Sequence, residues 1–272
     1  MNNLDAVVDS DRWLCRPLCK RYAVVVFSTA SRLPGTVAVA PNRKICWALG
    51  TLINGDCEIL GAWSSNDEGV IPAEVFGRLY DRGVEYVTYA VGDLAALQPA
   101  FVEAYPRAVE LPSIERILAA SLASVRSVHR PAMAHLLRAA VADPDAPETV
   151  AAPGISSADW RERYPNILER WGEAVAVFQP LFALPEPYRR LVRSVDRTAM
   201  DVQERLMRAI HRHGPFADAS KAFAFVAAAL QRADRQLERE RQARRLARDA
   251  CPLPSGRMGP ISGRALGAPA LA

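Results

Sequence analysis

The order of secondary-structure signals constrains this chain more than any single motif. Residues 23–27 (AVVVF) form a β-branched run bounded by polar residues and read as a buried strand. Lys44–Thr51 and Glu58–Ser64 read as two further strands, separated by the turn signal Asn54-Gly55-Asp56. The three predict an antiparallel meander. Glu68–Arg82 then has helical spacing, with Val70, Ile71, Val75, Leu79 and Tyr80 on one side and Gly83 as its stop. Glu85–Val91 is a fourth strand, Leu94–Tyr105 a helix and Ala108–Leu111 a short extended piece. Few small α/β folds use the order β-β-β-α-β-α-β, which makes the order informative.

From Ser113 onward the pattern is almost wholly helical. Breaks fall at Arg130-Pro131, in the Pro- and Ala-rich stretch 143–154, at Tyr164-Pro165 and at 184–187. The stretch 143–154 reads as a surface linker, and a long final helix is expected over about Ala217–Asp249. The Pro- and Gly-rich residues beyond Cys251 are expected to be disordered. No apolar run approaches the roughly 18 residues of a membrane span. The opening MNNLDAVVDSDRW has no apolar core of a secretory signal, so a cytoplasmic location with no membrane partner is expected. Five scattered cysteines without a CxxC pair suggest reduced thiols rather than a disulfide framework or zinc ribbon.

The net charge of +4 is unevenly distributed. Residues 188–272 hold 17 basic and 8 acidic side chains, whereas residues 1–187 hold 17 basic and 22 acidic ones. That asymmetry points to a polyanionic partner for the C-terminal third, with Arg205, Arg208 and Arg212 as candidate DNA contacts. No GxSxG elbow, Gly-rich phosphate loop, HExxH or dinucleotide fingerprint is present.

An acid past the first strand, another past the fourth and a third on a later helix is how RNase H-like nucleases hold two divalent cations. The cations repel one another and need several carboxylates to stay together. Here those places are taken by Ser28, the pair Gly92-Asp93, and Asp201. Five segments in order carry a family resemblance: residues 13–27 with an Arg-Pro-Leu lead-in, 46–63, 82–106, 159–192 and 198–216. Together they resemble the mutator-type transposases of bacterial insertion sequences, which have an Asp-Asp-Glu catalytic core. The resemblance implies an RNase H-like α/β core with a mixed sheet whose first three strands are antiparallel, a large all-helical insertion and a helical C-terminal region. It divides the chain into a remnant of an N-terminal region (1–21), the core (22–112), the insertion (113–195), C-terminal helices completing the core (196–250) and a tail (251–272). It also implies DNA as partner, Mg²⁺ or Mn²⁺ as cofactor, and a homo-oligomer or an intact transposase as protein partner.

The departures are specific. Ser28 stands where the family has its first Asp, Gly92-Asp93 reverses the family's Asp-Gly, and Asp201 stands for its Glu. Ser113 and Arg116 occupy the positions of a Cys-x-x-His pair, and the match begins near Met1, so the family's end-recognition region is expected to be missing. A hydroxyl brings no charge against two cations, and a one-residue shift moves a carboxylate about 3.8 Å. The resemblance therefore implies a catalytically impaired transposase in which Asp93 and Asp201 are the remaining candidate catalytic and metal-binding acids. The alternative is a regulatory protein that binds DNA, or pairs with an intact transposase, without catalysis.

Simpler roles stand beside these. Asp93 is placed to cap the helix after it, and Thr198-Ala-Met-Asp201 fits a capping box. His211 and His213 suit a helix C-terminus. The tryptophans read as core, with base stacking by one in the insertion as the alternative. Asp56 or Glu58, on neighbouring strands, could complete the site in place of the lost acid.

Overall fold

A computed structural model of the chain describes residues 12–30, 44–64, 73–92, 100–142, 157–167, 171 and 177–250. The strands are β1 (Arg21–Ala30), β2 (Ile45–Thr51), β3 (Cys57–Ser64), β4 (Tyr86–Gly92) and β5 (Val109–Pro112). The helices are α1 (Ala73–Asp81), α2 (Ala100–Ala104), α3 (Ile114–Leu122), α4 (Arg130–Ala142), α5 (Ser157–Arg163), α6 (Gln179–Phe182), α7 (Glu186–His213) and α8 (Ala219–Ala250). The linker expected at 143–154, the tail beyond Cys251 and Asp93 with the first turns of its expected helix lie outside the described residues.

The strands form one mixed sheet in the order β3-β2-β1-β4-β5. The expected meander is present: β1 pairs antiparallel with β2, and β2 with β3. Gly55, at φ +83, makes the turn between β2 and β3, and the Asn54 side chain accepts from the Asp56 amide across it. β4 is parallel to β1, and β5 to β4.

Side-chain alternation sends Val24, Val26, Trp47 and Leu49 to one face and Val25, Phe27, Cys46 and Ala48 to the other. Both faces are buried, as expected for strands read as continuous apolar runs. The second face is covered by Val75, Phe76 and Leu79 of α1 and Phe101 of α2. Phe27, Phe76 and Phe101 meet there edge to face, with centroids 5.6 to 5.9 Å apart. The first face packs against the later helices in one continuous apolar cluster that includes Trp160, Trp171, Val195, Val202, Leu206 and Val226.

Helix α7 shows how that cluster reaches the sheet. Val192, Val195, Ala199, Val202, Leu206 and Ile210 recur at helical spacing and are buried. Gln203 pins the helix in register, donating to the Thr29 carbonyl at 3.0 Å and accepting from Trp47 Nε1 at 2.8 Å. The helix runs unbroken across residue 195, where the sequence reading divides insertion from C-terminal helices. Thr198 and Asp201 therefore sit in mid-helix, so the capping-box reading fails: the Thr198 hydroxyl donates to Ser194 O one turn back. His211 and His213 do occupy the last turn, before Gly214.

Candidate functional site

The parallel strands β1, β4 and β5 end side by side. Val26 is in register with Val91, and Gly92 with Pro112, so Ser28, Gly92 and Ser113 gather at one edge of the sheet. This is the carboxyl end of the parallel strands, where open α/β sheets place their ligands. A recess of about 190 Å³ opens there, and its lining includes Ser28, Ser113, Glu115, Arg116, Asp196 and Gln203. Ser28 and the Ser113/Arg116 pair, singled out separately in the sequence, are thus brought together.

Two carboxyls line this recess, those of Asp196 and Glu115, and the sequence reading overlooks both. Asp196 is 2% exposed, and its two oxygens accept from the Ser113 hydroxyl at 2.7 Å and the Glu115 amide at 3.0 Å. Ser113 is the N-cap of α3 and also accepts from the Arg116 amide. Asp196 therefore extends the cap of α3 from a neighbouring helix. Burial pushes its carboxyl up to about 6, against the opposing pull of the hydrogen bonds from Glu115 N and Ser113. Glu115, 7% exposed, is held in two hydrogen bonds by Arg138 at 3.0 and 2.8 Å and is approached by Arg197 at 3.5 Å. A visible signal existed: Asp196 is an acid on the apolar stripe of α7, between Val195 and Ala199.

Asp201 lies elsewhere. It is about half exposed on the flank of α7 and pairs with Arg197 one turn back at 3.5 Å, outside the lining of the recess. Gly92 packs tightly, since a Cβ there would lie 2.9 Å from Phe27 O. Asp93 falls outside the described residues. Asp56 and Glu58 do not complete the site, because they sit at the opposite end of the sheet. Glu58 is paired with Gly50 and accepts from Tyr22 Oη at 2.7 Å, while Tyr22 is about 20 Å along β1 from Ser28. Asp56, 2% exposed, is held by Arg245 at 2.7 Å.

These donors do not fit a pair of divalent cations. Such a site calls for several carboxylates, and the described lining offers hydroxyls, an amide, a guanidinium, the Arg-bound Glu115 and one carboxyl already used as a helix cap. Among the described residues no three His, Cys, Asp or Glu side chains are grouped to hold a metal ion.

Arg205, Arg208 and Arg212 are exposed on the side of α7 away from its buried stripe, spaced three and four residues apart on one face. Arg205 also reaches Gln236 of α8 at 3.2 Å. Trp160 and Trp171 are 0% and 4% exposed, so neither presents a ring on which a base could stack. Among the described residues no helix is long and apolar enough to cross a membrane.

Comparison with known proteins finds relatives of this chain. The chain is 27% identical over 239 residues to a "Transposase for insertion sequence element ISRM3" of Rhizobium meliloti (strain 1021), covering 86% of this chain and 60% of that protein. It is also 27% identical over 230 residues to a "Probable transposase for insertion sequence element ISRM3-like" of Sinorhizobium fredii (strain NBRC 101917 / NGR234), covering 84% of this chain and 57% of the relative. The chain thus spans about three fifths of the length of these relatives. A family model described as "Transposase, Mutator family" matches residues 2–239, most of the sequence. The chain belongs to the Mutator family of transposases.

Proposed function

We propose that the chain is a Mutator-family transposase core that binds DNA and has lost metal-dependent strand cleavage. The observation that carries this reading is the recess at the carboxyl ends of β1, β4 and β5. There Ser28 stands where the resemblance implies the family's first acid, and the described carboxyls of the lining are committed to a helix cap and to arginines. The strand order and the antiparallel meander support an RNase H-like core, with a helical insertion after β5 and with α7 and α8 returning to the sheet. The exposed arginines of α7 supply DNA contacts by charge, independent of base sequence.

The test uses the purified chain with labelled duplex DNA. Binding is expected at about 50 mM salt and is expected to fall steeply by about 200 mM, as released counterions dictate. No nicking or joining is expected with Mg²⁺ or Mn²⁺. Metal-dependent nicking by the native chain would overturn the loss of cleavage, and absence of binding at the lower salt would overturn the DNA reading.

A further inference from the structure

We draw no further inference here: the strongest candidate, the cavity of about 910 Å³ between the end of β3, α1 and Phe223 of α8, sets Glu74 and Asp81 against Arg78 and Arg82 in its lining and so selects no charge, and nothing in the structure shows what covers it, since residues 65–72, which join β3 to α1, lie outside the described residues.

Discussion

A carboxyl sealed between two helices and a strand end, as Asp196 is, leaves a trace in stability. Its folded pKa of about 6 lies above the unfolded value near 3.9, so between those pH values the folded chain holds more protons than the unfolded one. The stabilisation is full below the unfolded value and is lost as pH rises through the folded one, a change of about 3 kcal/mol. Asp196→Asn lacks this titration. The stability advantage of the native chain over the variant should therefore shrink by about 2 kcal/mol between pH 4 and pH 7, read from denaturation curves at each pH. A constant difference would place the Asp196 carboxyl in a more solvated setting. Gly92 gives a second case. A Cβ there meets Phe27 O at 2.9 Å and Phe27 Cβ at 3.5 Å, so Gly92→Ala should cost about 1 to 3 kcal/mol in urea unfolding. A variant as stable as the native chain would mean that β1 and β4 yield easily at this point. The same contact sets a limit on restoring an acid at position 92, since any side chain there must first push β4 away from β1.

Among the elements, α8 does what no local pattern announces: it shields the outer edge of β3. Asp234 of α8 accepts from the Ile59 amide at 2.7 Å and from Trp13 Nε1 at 2.8 Å, and pairs with Arg16 at 3.1 Å. Arg16 in turn donates to the Ile59 carbonyl at 2.6 Å, and Arg82 to the Leu60 carbonyl at 2.6 Å. Backbone groups that would otherwise offer an open strand edge are thus closed by side chains. Asp234→Ala leaves a backbone donor and an indole without their acceptor and removes one of the partners of Arg16, which keeps Ile59 O and Glu58, with an expected loss of about 2 to 4 kcal/mol in chemical denaturation. A loss below about 1 kcal/mol would show that water replaces the carboxylate freely. The strands and their meander were legible because β-branched runs and the Asn54-Gly55 turn act locally. The closure of β3 was not, because Asp234 and Ile59 lie 175 residues apart. The misread capping box at Thr198 has a related cause. A four-residue pattern carries no information on whether the helix has already begun, and α7 begins at Glu186.

Across the whole molecule, charge and site separate. The basic C-terminal third was legible from counting alone, and most of its basic residues fall on α7 and α8. The recess beside Ser28 was legible only in part. Ser28, Ser113 and Arg116 stood out by position, but their meeting depends on the register of three parallel strands. Asp196 depends on which face of α7 turns to the sheet, and there Asp201 loses to its neighbour four residues back plus one. The exposed stripe of Arg205, Arg208 and Arg212 makes a prediction separate from that recess. Arg208 is shared with Glu204 at 3.5 Å and Arg205 with Gln236, weak exposed contacts that a phosphate can displace. Changing all three to Gln removes up to three phosphate contacts, each worth about 0.9 in the slope of log affinity against log salt. The slope measured from about 50 to 200 mM salt should then fall by about two to three while the melting temperature stays within a few degrees of native. An unchanged slope in a folded variant would move the DNA path off α7 and onto the arginines farther along α8.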